Sequence, residues 1–179
     1  MSNPIPISPQ SNNIVTLGNQ NIGPFYWVGP SKNGVNYFAG QTFKVSASGE
    51  LKNIKLYCSF VVGFPRLKIS IYTFEQHNHI WRNKIREISK ELNNTEENYW
   101  IEFDMQNIEV DKGEDLGFKL KCIEGGTIAI AECPWNKPNP YADGEQWIGS
   151  SINKIGKFQK DFAFAFAAEI DVSPKSKFI

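Results

Sequence analysis

Histidine and cysteine are scarce in this sequence, and their scarcity excludes much catalytic chemistry. The 179 residues include two histidines and three cysteines, and neither a C-x-x-C pair nor a G-x-S-x-G pentapeptide occurs. A zinc site built on paired cysteines and the nucleophile elbow of an α/β-hydrolase are therefore excluded. His77 and His79 form one H-x-H pair, but a cupin-like metal site would need a further histidine from a later strand. We expect this pair to lie on a solvated hairpin tip.

The three cysteines, Cys58, Cys122 and Cys133, cannot all be paired within one chain. Each stands in or at the end of a strand-like segment, where a buried free thiol is the usual state. We predict three free thiols, and a bridge between Cys122 and Cys133 across a hairpin is the alternative.

An excess of either charge is also missing, because 19 Lys and Arg balance 19 Asp and Glu. No basic stripe appears, so neither nucleic acid nor an anionic membrane is an expected partner. No run of 18 apolar residues exists, and residues 1–10 lack the charged start and apolar stretch of a signal peptide. We expect synthesis in the cytoplasm and no membrane insertion, with export or assembly by a non-standard route as the alternative.

What the sequence does contain is the period of β-strands. Within residues 161–171 large side chains fall on every second position, so that Phe162, Phe164, Phe166 and Ile170 share one face. The other face carries alanines and acidic residues, and we expect it to be flat and partly solvated. The same alternation marks strands over 51–62, 66–74, 99–105 and 116–122, whereas residues 80–92 fit a helical spacing about as well.

Glycine-rich turns separate these segments. Gly63 and Pro65 predict a hairpin that joins 51–62 to 66–74, and Gly125-Gly126 predicts a second, tight hairpin turn. Residues 133–160 have no sustained period and are predicted to form a long loop. About eight strands without a βαβ unit predict an all-β fold, a single antiparallel sandwich of jelly-roll type. We assign residues 1–30 to an N-terminal arm, 31–171 to the sandwich and 172–179 to a C-terminal tail.

The order of the motifs resembles that of jelly-roll modules in bacterial surface and extracellular proteins. The likeness spans roughly residues 41–170, and its motifs are Gln41-Thr42-Phe43, 49–57, 67–72, 100–103, 110–114, 118–120, 139–144 and 161–164. It favours a strand over residues 85–92. Such modules are similar to galactose-binding-like and carbohydrate-binding domains, so the resemblance implies a non-enzymatic module that binds a glycan or another surface ligand.

The long loop supplies the candidate binding residues. A pyranose ring packs its C–H groups on the flat face of Trp or Tyr, and its hydroxyls need amide or carboxylate partners nearby. The predicted ligand-binding residues, which offer both kinds of group, are Trp135, Asn139, Tyr141, Asp143, Gln146 and Trp147. The alternative is that Trp135 and Trp147 fold inward as lids on the sandwich. No cofactor is expected, and a structural calcium ion held by Asp143, Asp161 and loop carbonyls is the alternative.

Two other functions stay open. Paired carboxylates can hydrolyse glycosides, but the candidate acids fall on outward strand positions or turns, where solvation explains them: they are Glu102, Asp104, Glu109, Asp111, Glu114 and Asp115. We therefore expect no enzyme. The other function is a structural or assembly protein of a larger particle, such as a phage-like tail or a secretion apparatus. There the long loop and the arm, with Phe25, Tyr26 and Trp27, would make the contacts of a homo-oligomer.

Overall fold

The computed structural model describes residues 13–173, and nearly all of its regular structure is antiparallel β-sheet. This part of the chain forms one sheet of ten strands and a short 3-10 helix, Asn94–Glu96. The strands are β1 (Ile14–Asn19), β2 (Phe25–Pro30), β3 (Asn36–Lys44), β4 (Gly49–Glu75), β5 (Ile80–Glu91), β6 (Tyr99–Val110), β7 (Asp115–Ala131), β8 (Gln146–Ser150), β9 (Lys157–Gln159) and β10 (Phe166–Asp171). The all-β prediction is confirmed. No helix in the described range has the length and apolar character needed to cross a membrane.

Two long strands, β4 and β7, hold the sheet together. The first part of β4 lies between β10 and β6, and its last part lies between β7 and β5. We call β1–β10–β4–β6 the first half-sheet and β5–β4–β7–β3–β8–β9 the second half-sheet. Phe166 of β10 packs on Phe43 of β3 and Phe118 of β7, with ring centroids 6.2 and 6.0 Å apart. The half-sheets therefore face one another in a sandwich-like arrangement.

Alternation along the strands builds the core between the half-sheets. The side chains that β4 buries there include Ile54, Leu56 and Cys58 in the first half-sheet and Leu67, Ile69 and Ile71 in the second. Because successive side chains of a strand point to opposite faces, the residues between them, such as Lys55 and Lys68, point to the two outer surfaces. These outer surfaces carry the polar chemistry of the domain.

Gly63, Gly125 and Gly126 lie within continuous strands, so the two predicted hairpins are wrong. β4 runs through Gly63, and β7 runs through the other two glycines. Gly63 pairs with Gly126 and has a positive φ of 77°, and a Cβ atom on Gly63 would lie 2.5 Å from the carbonyl oxygen of Gly125. The glycines permit this close approach of two backbones where β4 passes from one half-sheet to the other.

The last predicted strand is shorter than expected, and both of its faces are covered. β10 begins at Phe166, and Ala163 and Ala165 are as fully buried as Phe164. The reason is that residues 163–165 lie between two other segments. Backbone hydrogen bonds join Cys133 N to Ala163 O, Ala165 N to Ala131 O and Tyr57 N to Ala165 O. The expected solvated face is therefore interrupted at residues 163–167, and its exposed or half-buried members are Asp161, Glu169 and Asp171.

The stretch assigned to an arm contains two strands of the sheet. β1 pairs with β10, and β2 pairs with both β7 and β3, so that Val28 of β2 is fully buried. Residues 1–12 of the predicted arm and 174–179 of the predicted tail lie outside the described residues. Within the predicted long loop, β8 pairs with β3 and β9 pairs with β8. Residues 133–160 thus include sheet as well as loop.

Residues 80–91 form strand β5, as the resemblance favoured. Cys58, Cys122 and Cys133 are all buried free thiols, as predicted, and burial raises the pKa of the Cys58 thiol to about 12. Because the thiolate is the nucleophilic form, a thiol with a raised pKa has little of that form at neutral pH, and the burial of Cys58 favours a packing role.

Candidate functional site

Three of the six residues predicted to bind ligand are buried and bonded inside the protein. Trp147 is 1% exposed, and its indole Nε1 donates a hydrogen bond to the carbonyl oxygen of Ile155 at 3.0 Å. The hydroxyl of Tyr141 accepts a hydrogen bond from the Lys44 backbone N–H at 3.3 Å. The Gln146 amide donates to Oε1 of the buried Glu132 at 2.9 Å. These three side chains serve internal packing. For Trp147 this agrees with the alternative in which it folds inward as a lid on the sandwich.

The other three predicted residues are exposed or partly exposed. Trp135 is 64% exposed, and its Nε1 donates to Oε2 of Glu132 at 2.9 Å. The Asn139 amide donates to the carbonyl oxygen of Lys160 at 2.9 Å, which holds the loop itself together. Asp143 is exposed. The structure therefore gives this loop one free aromatic face, that of Trp135.

The two histidines and the two candidate calcium ligands are exposed. His77 and His79 lie in the turn between β4 and β5, and His79 Nε2 is 2.5 Å from Oε2 of Glu145. Asp143 and Asp161 are both exposed, and residues 13–173 contain no group of three His, Cys, Asp or Glu side chains placed to hold a metal ion.

A polar cleft of about 350 Å³ lies on the outer surface of the first half-sheet. All four strands of that half-sheet contribute to it, and the residues that line it are Thr16, Gln20, Lys55, Trp100, Glu102, Ala167 and Glu169. We call it the Trp100 cleft. Its floor follows from the pairing of the strands, because Ala167 of β10 lies opposite both Gly18 of β1 and Lys55 of β4. Ala167 and Gly18 are small, and they leave space between the longer side chains around them.

Lys55 and Asn53 organise the two carboxylates of the Trp100 cleft. Lys55 Nζ lies 2.6 Å from Glu169 Oε1 and 3.7 Å from Glu102 Oε2. The Asn53 amide donates to Glu169 at 2.9 Å and to Glu102 at 3.4 Å. The hydrogen bond to Glu169 raises the pKa of Lys55. Burial raises the pKa of Glu169, but the hydrogen bonds from Lys55 and Asn53 outweigh that effect and leave it lowered. Lys55 and Glu169 are therefore both charged near neutral pH.

Trp100 supplies the aromatic wall of the cleft. It is half-buried on β6, and its ring meets the ring of Tyr57 edge to face, with centroids 5.5 Å apart. Tyr57 lies opposite Trp100 in the pairing of β4 and β6, so the register of the sheet fixes this contact. An indole held at its edge in this way keeps a defined orientation next to the charged groups.

Exposed aromatic rings gather elsewhere, where β2, β7 and β4 meet. Phe25 and Trp27 of β2 contact Phe60 of β4, with centroids 5.1 and 6.2 Å away, and the Trp27 and Phe60 rings are stacked. The strand between them carries alanine at this level, because Ala129 pairs with both Trp27 and Phe60. The small residue lets the rings from the two flanking strands meet above it. We call Phe25, Trp27 and Phe60 the aromatic patch.

No known family model matches the chain, and no curated protein is found to be related to it.

Sequence reasoning missed the Trp100 cleft because its residues come from four strands. One signal was visible: Lys55 and Trp100 both occupy outward positions in strands whose alternation is plain. The remaining step is the placement of β10 beside β4, which brings Glu169 to Lys55 from 114 residues away in sequence. No local pattern encodes that pairing.

Proposed function

We propose that the chain is a non-enzymatic binding module, a jelly-roll sandwich of the carbohydrate-binding kind, that recognises a glycan in the Trp100 cleft. The observation that carries the proposal is the combination of an oriented indole, two carboxylates, an ammonium group and polar side chains in one open cleft. The sandwich-like packing of the half-sheets and the order of the sequence motifs support the jelly-roll assignment.

The chemistry of the Trp100 cleft suits a sugar ring. The C–H face of a pyranose packs on an indole, while its hydroxyls donate to carboxylates and accept from ammonium and amide groups. Trp100 provides the first kind of contact, and Glu102, Glu169 and Lys55 provide the second. A volume of about 350 Å³ lies within the usual range for small-ligand sites.

The charge state of Glu169 favours binding over hydrolysis. Glycoside hydrolysis needs one carboxylic acid that keeps its proton near neutral pH, which requires a raised pKa. The hydrogen bonds from Lys55 and Asn53 instead leave the pKa of Glu169 lowered. A carboxylate that is already ionised and bonded to Lys55 can accept hydrogen bonds from sugar hydroxyls, but it cannot donate a proton to a leaving group.

The test is a screen of the purified chain on a printed array of plant, bacterial and animal glycans, followed by variants. We expect Trp100→Ala to lose retention of whichever glycan the array identifies, without a change in melting temperature beyond a few degrees. Trp135→Ala is the matched control, because it removes an exposed indole from the long loop. We expect it to bind as the unmodified chain does.

Two outcomes would count against this proposal in different ways. An array without hits would remove the glycan-binding function. Hits that survive Trp100→Ala but are lost in Trp135→Ala would keep that function and move the site to the loop.

The second candidate function is assembly, and the aromatic patch is the observation that favours it. Exposed aromatic rings in contact with one another are typical of surfaces that another protein covers. If the patch is an oligomer contact, light scattering should show a larger particle than the 20.3 kDa monomer, and Trp27→Ser with Phe60→Ser should reduce it. A monomer at high protein concentration would exclude self-assembly through this patch.

A further inference from the structure

Two lysines stand side by side on the outer surface of the second half-sheet. Lys119 and Lys121 alternate on β7 with the buried residues Phe118 and Leu120, so both point away from the core. The register continues this surface on both sides: Ser70 of β4 and Gly40 of β3 lie opposite Lys119. Residues i and i+2 of a strand are about 7 Å apart. The two ammonium groups thus belong to one small area, the lysine pair.

Aromatic rings surround these ammonium groups. Lys119 Nζ lies 4.7 Å from the Trp81 ring centroid, 4.6 Å from that of Trp147 and 5.5 Å from that of Tyr72. Lys121 Nζ lies 4.5 Å from the centroid of Phe38. Ring faces attract a cation, but they offer no oxygen to accept its hydrogen bonds. The ammonium groups are thus held in place with their N–H donors unused by the rings.

Lys119 and Lys121 differ from the neighbouring lysines because, among the described residues, neither forms an ion pair, although Glu87, from a longer distance, still raises the pKa of Lys121 against the lowering by burial. Lys68 and Lys84 both contact Glu87, at 3.3 and 2.7 Å, and hydrogen bonds from Lys84 and Ser70 lower the pKa of Glu87 to about 2. In the described part of the chain no carboxylate lies within 4.0 Å of the lysine pair. Burial, and then the charge of Lys121, lowers the pKa of Lys119 to about 8.

We infer that the lysine pair is a binding site for an oxyanion, the carboxylate or sulfate group of an acidic saccharide. Two ammonium groups carried by adjacent outward positions of one strand can both donate to one such group, since each brings several N–H donors. The half-buried rings of Tyr72 and Trp81 beside them offer apolar surface to the sugar that carries the anion. Lys68, Lys84 and Lys154 add positive charge near Lys121, but Lys68 and Lys84 are paired with Glu87. A nucleic acid would need a longer unpaired basic track, and Glu87 would repel its next phosphates.

This site is separate from the Trp100 cleft. Phe118 and Phe166 pack on each other in the core, and their neighbours Lys119 and Ala167 therefore lie on opposite outer surfaces. A glycan bound in the cleft does not reach the lysine pair, so each site is tested without the other.

The test measures the affinity of the full chain for three probes by calorimetry at one fixed ionic strength. The probes are an oligogalacturonate, a heparin oligosaccharide and single-stranded DNA. We expect the two acidic saccharides to bind, and we expect the double variant Lys119→Met with Lys121→Met to weaken them about tenfold or more, as for the loss of a charge-assisted hydrogen bond. The matched control is Lys112→Met with Lys137→Met, which removes two exposed lysines from a turn and a loop and should bind normally.

A second measurement needs no variant. The pKa of the Lys119 ammonium, followed by NMR through its ε-methylene carbon, should rise when oligogalacturonate is added, because a bound anion stabilises the charged form. An unchanged pKa at a saturating concentration would overturn the proposal. So would equal weakening in the test and control variants, which indicates unspecific charge attraction, and so would tighter binding of DNA than of either saccharide.

Discussion

Lys119 combines a positive charge with partial burial. The aromatic rings around its ammonium group offset only part of the free energy lost when the charge leaves water. A lysine that leaves water without a carboxylate partner favours its neutral form, which is why its pKa falls to about 8. Below that pH the folded chain keeps the charged form at a cost. The unfolded chain has no such cost, because there the lysine regains water. The lysine pair therefore lowers the stability of the fold at neutral pH, which is the usual price of a binding group.

Stability should accordingly depend on pH through Lys119. Between about 8 and the ordinary lysine value of 10.5, the unfolded chain binds more protons than the folded chain, so this group makes stability rise with pH. Lys119→Met should be more stable than the unmodified chain at pH 7, and the difference should shrink towards pH 9 in chemical unfolding. The charged and titratable groups near the lysine pair are Tyr72, Lys68, Lys84, Glu87 and Lys154.

Lys119→Met must be compared with the unmodified chain because other groups make stability fall as the pH rises. The thiol of Cys58 has a pKa raised to about 12, so its contribution to stability falls once the unfolded thiol ionises. Both proteins share that loss, and it cancels in their difference. A difference that stays constant from pH 7 to 9 would show that Lys119 has an ordinary pKa.

Phe164 and Ala165 test the packing of neighbouring residues. Phe164 is fully buried, and Phe164→Ala should cost about 3–5 kcal/mol of unfolding free energy through lost burial and a cavity. The sequence predicted that the alanine-bearing face of residues 161–171, which includes Ala165, is partly solvated. Because the structure buries Ala165 completely, Ala165→Ser should now cost about 1–3 kcal/mol for an unpaired hydroxyl. Urea unfolding measures both, and a neutral Ala165→Ser would contradict the burial described for residues 163–165.

Strands β4 and β7 show what could be predicted from the sequence and what could not. Alternation identified most of their residues and the inward face of each, because that pattern is local. It did not reveal that Gly63 and Gly125 lie inside strands, since a glycine in a turn and a glycine at a close backbone contact look the same in one sequence. The identity of the facing backbone decides between the two, and that is tertiary information.

Gly63→Ala should distinguish close contact from simple turn geometry. Gly63 and Gly113 both have positive φ, 77° and 93°, so alanine at either should cost about 1–2 kcal/mol for the left-handed backbone. At Gly63 the new Cβ would also overlap the Gly125 carbonyl, whereas at Gly113 it meets nothing within 4 Å. We expect Gly63→Ala to lose about 1–3 kcal/mol more than Gly113→Ala in urea unfolding. Equal losses would place Gly63 in open space.

Prediction of the candidate sites from sequence was also limited by the absence of tertiary information. Aromatic and amide content predicted that residues 133–160 bind ligand. Trp147, however, pairs with Gly40 and packs on Trp81, so this aromatic side chain serves packing. Trp147 and Trp81 are large enough to form a small apolar cluster outside the main core, and composition alone cannot separate that role from ligand stacking. The Trp100 cleft needed the order of four strands, and the lysine pair needed the position of every carboxylate around it.

The molecule as a whole should depend on residues that looked like an appendage. Deleting residues 1–30 removes β1 and β2, and with them the edge partner of β10 and the fully buried Val28. We expect the truncated chain to lose cooperative thermal unfolding by circular dichroism. Deletion of residues 1–12, which removes none of the described strands, is the control and should unfold cooperatively. A folded 31–179 fragment would return residues 13–30 to the role of an arm.

The pairing of β1 with β10 also has a consequence for how the protein is made. Ile14 pairs with Asp171, so β1 leaves the ribosome long before β10, the strand with which it pairs. Contacts between residues so distant in sequence make folding slow, and during synthesis the edge of β4 that β10 later covers stays unpaired. The nascent chain therefore passes through an interval in which it is open to aggregation, and its yield in a cell should depend on chaperones and on temperature during translation.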